Sequence, residues 1–107
     1  MITTHVLDLR EGRPAAGLQV TLERQEGERW EPLGAVTTDA QGRAGPAVAG
    51  DGSGVYRLRF GTGPYWGERG VDALHPEVVV TFRRRPGESL HLPLLLSPFG
   101  YTTYRGT

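Results

Sequence analysis

This sequence has no cysteine and no lysine, and its net charge is zero. Without cysteine there is no disulfide framework, no thiol nucleophile and no thiolate zinc site. A balance of twelve basic and twelve acidic residues leaves no electrostatic footprint for nucleic acid or an anionic membrane. All twelve basic residues are arginine, which reads as the codon usage of a GC-rich genome. No apolar run approaches the roughly 20 residues of a membrane span, and Met1 to His5 lack the basic and apolar parts of a secretory signal. The expectation is a soluble, cytoplasmic chain without nucleic-acid or membrane partners. Long helical periodicity is missing too.

What is present is turn chemistry and alternation. The 107 residues suit one domain, 1–107, and include 16 glycines and 8 prolines spread between short apolar stretches. A domain this small leaves much surface uncovered, so association would add burial. Residues 3–9 alternate, with Val6 and Asp8 on one face and His5, Leu7 and Leu9 on the other. Leu18, Val20 and Leu22 alternate with Gln19, Thr21 and Glu23, and 30–37 returns as the hairpin partner after Gly27. Asp39 to Gly42 is a turn, followed by a short strand near Arg43. Residues 50–54 read as a flexible loop. Further strands are expected at 55–60, 77–83, 90–96 and 101–105, with Arg83-Arg84-Arg85 as a solvated hairpin tip. Residues 63–70 are the one candidate helix; Pro64 suits a first helical position, but Gly67 weakens the interior and the residues alone favour a loop. About eight short strands with one short helix imply an all-β, two-sheet β-sandwich.

Strand phase picks out a second feature. Leu90, Leu92, Leu94 and Leu96 share the natural core face, so His91, Pro93 and Leu95 point away from the core. In the last strand Thr102 and Tyr104 share a face. If the first, penultimate and last strands are neighbours, His5, Leu7, His91, Pro93, Leu95, Thr102 and Tyr104 line one external face. Such a mixed apolar and polar face marks an interface or a groove. Taken singly, His5 and His91 read as ordinary structural histidines, and Arg43 as a solvated turn arginine. His75 reads as structural or exposed, and Asp8 carries no assigned role. No carboxylate or cysteine is spaced to complete a metal site with the histidines, so no metal and no cofactor are expected.

The ending Pro93-Leu-Leu-Leu-Ser-Pro-Phe-Gly-Tyr-Thr-Thr-Tyr-Arg-Gly-Thr107 resembles that of the 5-hydroxyisourate hydrolases, the enzymatic branch of the transthyretin-like family. The opening His5-Val-Leu-Asp8 with Gly12-Arg-Pro-Ala-Ala-Gly17, the segment 38–43 and the segment 76–82 are similar as well. The resemblance covers nearly the whole chain and is most specific at its ends. It implies a transthyretin-like sandwich of two four-stranded sheets, a short helix at 63–70, and a homotetramer of 222 symmetry with active sites between dimers. It further implies hydrolysis of 5-hydroxyisourate in urate degradation, with His5, Arg43 and His91 catalytic and Thr102, Tyr104, Arg105, Gly106 and Thr107 binding substrate. A neutral imidazole can take a proton from water near neutral pH, and arginine forks suit carbonyl and ureide oxygens. Which histidine is the base stays open. The family closes on Tyr-Arg-Gly-Ser, and this chain closes on Tyr104-Arg105-Gly106-Thr107. Two other readings stand beside the enzyme. Segments 12–22, 38–42 and 54–58 resemble non-catalytic carboxypeptidase-regulatory and adhesin sandwich modules. A transthyretin-like carrier of a small aromatic ligand is the other, and Tyr104 with Arg105 would obstruct its channel.

Overall fold

Period-2 alternation dictates the architecture, because each strand has one apolar face to bury and finds it in a facing sheet. The computed structural model describes residues 1–45 and 52–107; the start of the loop expected at 50–54 lies outside them. In chain order the elements are β1 (Ile2–Asp8), β2 (Arg13–Pro14), β3 (Gln19–Glu26), β4 (Arg29–Thr37), β5 (Arg43–Ala44), β6 (Gly54–Phe60), α1 (Thr62–Glu68), β7 (Val78–Arg84), β8 (Leu90–His91), β9 (Leu94–Ser97) and β10 (Gly100–Thr103).

One sheet runs β4-β3-β6-β7, all antiparallel. The other is built on β1. Along one edge β1 takes β2 and β5 antiparallel; along the other it takes β8 and β9 parallel, and β10 closes on β9. First, penultimate and last strands are therefore neighbours. Between the sheets Ile2, Val6, Leu94 and Leu96 meet Val20, Leu22, Leu58, Phe60 and Val78, all buried. Tyr65 and Trp66 of α1 pack edge to face and plug one end.

The helix is real where propensity alone favoured a loop. It has no side-chain cap and no acidic first turn. Tertiary contacts hold it instead. Trp66 and Tyr65 are buried, and the Tyr65 hydroxyl donates to Asp8 Oδ2 at 2.7 Å. Arg69 donates to the Tyr65 carbonyl and lies 3.6 Å above its ring. Asp8, unassigned from sequence, is fully buried and also accepts from the amides of Arg10 and Glu11.

Four expectations are corrected. Glu23 keeps its outward phase but is buried, because Arg57 lies directly opposite and pairs with it, and Arg59 reaches it at 3.5 Å. Arg84 is no solvated tip: it is buried, donating to the Gly52 carbonyl at 2.9 Å and the Glu88 carbonyl at 2.8 Å. The strand expected at 90–96 is interrupted at Leu92-Pro93, where proline has no amide to give the ladder. Register is the same on both sides of the break, so Pro93 stays in outward phase, yet it is buried, its carbonyl accepting from Thr103 Oγ1. The last strand ends at Thr103, not Arg105.

Candidate active site

The outer face of the β1 sheet gathers the polar residues. Directly paired residues in a ladder project to the same side. Thr3 pairs with His91, His5 with Arg43, Leu7 with Leu95, and Leu95 with Thr102. Alternation in β1 puts Thr3, His5 and Leu7 on the solvent side, with Ile2, Thr4, Val6 and Asp8 buried behind them. His5, Arg43, His91 and Thr102 therefore share one face. A cleft of about 460 Å³ opens there, lined by Thr3, Thr4, Asp39, Arg43, Ala44, Gly45 and His91. His5 borders it as the ladder partner of Arg43.

A local turn aims Arg43. Asp39 Oδ1 accepts the amides of Gln41 at 2.8 Å and Arg43 at 3.0 Å, while the Asp39 amide donates to the Arg43 carbonyl at 2.9 Å. Gly42 has φ of 77°, and a Cβ there would fall 2.4 Å from the Val6 carbonyl, so only glycine lets this turn lie against β1. The Arg43 amide and then the Gln41 amide hold the Asp39 carboxyl below its ordinary range, with the Arg43 and His5 charges adding to the effect. Among the described residues no hydrogen bond or ion pair engages the Arg43 guanidinium, which is exposed. It faces the cleft side with its donor fork free.

The two imidazoles are held differently. His5 Nε2 lies 2.8 Å from the Gln41 carbonyl. A carbonyl only accepts, so Nε2 carries the proton and Nδ1 of the neutral ring is the free base. His91 Nδ1 lies 2.8 Å from Thr3 Oγ1, which leaves Nε2 unengaged. A hydroxyl donates as readily as it accepts, so Thr3 supports either tautomer of His91.

The C-terminal residues split by phase. The β9–β10 register, continued past Thr103, sets Tyr104 opposite Pro93, Arg105 opposite Leu92 and Gly106 opposite His91. The Gly106 amide indeed donates to the His91 carbonyl at 2.7 Å. A Cβ on Gly106 would lie 2.6 Å from His91 Cδ2, so the backbone rests on the imidazole. Gly106 and Thr107 line a small cavity of about 220 Å³ with His91 and Thr3. Tyr104 is exposed. Arg105, one residue out of phase, goes the other way. It lines a separate groove with Leu90, Leu92, Phe82 and Arg85, and pairs with Glu88 at 2.9 Å. The structure thus sets His5, Arg43, His91 and Thr102 on one face, lays Gly106 and Thr107 against His91, and sets Arg105 apart from them within one protomer.

Sequence reasoning missed Thr3 as the partner of His91 and Asp39 as the residue that aims Arg43. Parallel pairing of β1 with β8, 88 residues apart, makes Thr3 the partner of His91. Nothing local in the chain signals that. Asp39 was legible only as a turn residue. His75 stacks edge-on against Tyr101, away from the cleft residues.

Fold and face together define a two-sheet sandwich of transthyretin type carrying a histidine–arginine cleft on the outer side of one sheet. The chain belongs to the HIUase/Transthyretin family, whose model matches residues 2–106. It is 42% identical to the 5-hydroxyisourate hydrolase of Caulobacter vibrioides, across 99% of this chain and 97% of that one. To the 5-hydroxyisourate hydrolase of Mus musculus it is also 42% identical, across 99% and 94%. Among solved structures, the Klebsiella pneumoniae 5-hydroxyisourate hydrolase superposes with a TM-score of 0.87 at 36% identity, covering 99% and 98%. Transthyretin of Sparus aurata superposes with a TM-score of 0.91 at 30% identity, covering 98% and 95%.

Proposed function

We propose that this protein is an enzyme that hydrolyses 5-hydroxyisourate to 2-oxo-4-hydroxy-4-carboxy-5-ureidoimidazoline in cytoplasmic urate degradation. The observation that carries the reading is the meeting of His5, Arg43 and His91 on one outward face, in a chain alike end to end to proteins named for that activity. Water adds to the carbonyl of the cyclic amide. A C–O bond forms, the C–N bond breaks, and the departing nitrogen takes a proton. Proton traffic needs one imidazole to accept from water and another group to donate. Among the described residues, His91 Nε2 and His5 Nδ1 are the ring nitrogens of the face without a hydrogen-bond partner. His91 is the base in this reading, and His5 orients water or protonates the leaving nitrogen. Arg43 offers its free fork to the developing oxyanion. Thr102, Tyr104, Gly106 and Thr107 complete the substrate pocket when copies associate, while Arg105 stays paired with Glu88.

The assembly is a homotetramer with sites between dimers. Its support is exposed aromatic surface on and beside the edge strand β10: Tyr104, in phase with Thr102 on the cleft face, is 54% exposed, and Tyr101, paired with Leu96, and Phe99 add 42% and 66% outside that face.

A carrier reading has one observation in its favour: sea bream transthyretin in complex with thyroxine superposes with a TM-score of 0.92, above the hydrolase. Backbone likeness does not carry function across a shared fold. A direct test sets thyroxine binding by isothermal titration against turnover of 5-hydroxyisourate, on the same untagged preparation. Turnover without thyroxine binding supports the enzyme; tight thyroxine binding without turnover overturns it.

A further inference from the structure

We infer that Glu88, outside the cleft, is a positioning residue that holds the C-terminal segment against His91. Glu88 sits in the turn between β7 and β8 with its side chain 19% exposed. Both carboxylate oxygens are engaged. Oε1 accepts the Arg85 amide at 3.1 Å, and Oε2 accepts Arg105 Nη2 at 2.9 Å. The backbone of Glu88 is fixed as well. Its amide donates to the Arg85 carbonyl at 3.1 Å, and its carbonyl accepts from the buried Arg84 at 2.8 Å. Arg84 is anchored in turn on the Gly52 carbonyl. Glu88 is thus a rigid acceptor tied to the body of the sandwich.

What it grips is otherwise loosely held. After Thr103 the chain leaves the ladder, and residues 104–107 form no strand. Among the described residues the segment has two ties: Arg105 to Glu88, and the Gly106 amide to the His91 carbonyl. They are adjacent in sequence and of opposite phase, so Arg105 pulls toward the groove while Gly106 lies on the ring. A glycine whose Cβ would stand 2.6 Å from Cδ2 of His91 leaves no slack between backbone and imidazole. Releasing Arg105 removes the clamp one residue before this contact. The consequence passes to His91 through position, because Glu88 touches neither histidine.

The kinetic part rests on the hydrolase reading above. Glu88→Gln keeps an oxygen for the Arg85 amide and removes the charge that grips Arg105. We expect kcat to fall about tenfold with KM nearly unchanged, short of the roughly hundredfold that a full 1 Å misplacement brings. Arg105→Ala and the double variant should each lose no more than about the same factor, since residues acting as a unit are not additive. A second measurement needs no substrate. In the ligand-free protein, Glu88→Gln should move the Cδ2–H proton resonance of His91 and leave those of His5 and His75 in place. If Glu88→Gln does not fold, Arg105→Gln breaks the same contact from a side chain that is 69% exposed. An unmoved His91 resonance overturns the inference, as does additive loss in the double variant. A wild type without turnover refutes the hydrolase reading alone and leaves the resonance to decide on Glu88.

Discussion

Replacing Gly106 by alanine tests the contact between the C-terminal segment and His91 at its tightest point. The added methyl would stand 2.6 Å from His91 Cδ2 and 3.2 Å from the His91 carbonyl oxygen. Ordinary contact begins near 3.4 Å, so backbone or ring must retreat by about 0.8 Å. The segment is the softer partner, held by one charged pair and one amide bond. Yielding there costs about 1 kcal/mol, the net worth of the Gly106 hydrogen bond. In a domain of this size that lowers Tm by about 4–8 °C. Geometry at a reacting centre is far less forgiving, and a shift near 1 Å removes about a hundredfold in rate. Gly106→Ala should therefore fold, lose a few degrees of stability, and retain about one hundredth of wild-type kcat/KM. The assay is the ultraviolet decay of 5-hydroxyisourate beside a calorimetric scan. Wild-type turnover in a folded Gly106→Ala protein would mean that the close seat of the segment on the His91 ring does not set the geometry for chemistry.

Further consequences can be checked on the same footing. Thr3→Val deletes the hydroxyl at His91 Nδ1 while keeping shape, so the rate should fall about five- to tenfold, the kinetic equivalent of about 1 kcal/mol. Asp39→Ala frees the amides of Gln41 and Arg43 and loosens the aim of Arg43, lowering kcat/KM more than Tm. Because the Asp39 carboxyl is depressed in the folded state, its contribution is present above the ordinary carboxylate range and lost as pH falls through its lower folded value, so Asp39→Asn should flatten the acid limb of a stability–pH curve. Tyr65→Phe takes the hydroxyl from buried Asp8 and should cost about 2 kcal/mol in urea unfolding. Burial, then the Asp8 carboxylate, pushes the Tyr65 hydroxyl from 10.0 up to about 12. That stabilisation is complete below pH 10 and lost as pH rises towards 12, and the phenylalanine variant should lack this alkaline dependence.

Much of the fold was legible because alternation is a local signal. The leucine row 90, 92, 94 and 96 places His91 outward without any knowledge of its neighbours, and the structure puts all four leucines in the interior. The same period, carried past Thr103, separates Arg105 from Tyr104 and Gly106. Other features depend on partners far along the chain. Thr3 reaches His91 through a parallel pairing that no short window contains. Glu23 and Arg84 are buried under or against residues 34 and 32 positions away, where a charge in a strand or turn ordinarily reads as solvated. Helix α1 exists because Tyr65 and Trp66 fill the end of the core, which outweighs the missing cap and Gly67.

The most direct test of the central claim is the ultraviolet decay of 5-hydroxyisourate, formed in place from urate by urate oxidase, with untagged wild type and His91→Ala side by side. Wild type should accelerate the decay, and His91→Ala should lose at least about a hundredfold of that acceleration, as expected for a general base. Decay no faster than in buffer with folded, associated wild type would contradict the claim, and so would undiminished turnover by His91→Ala.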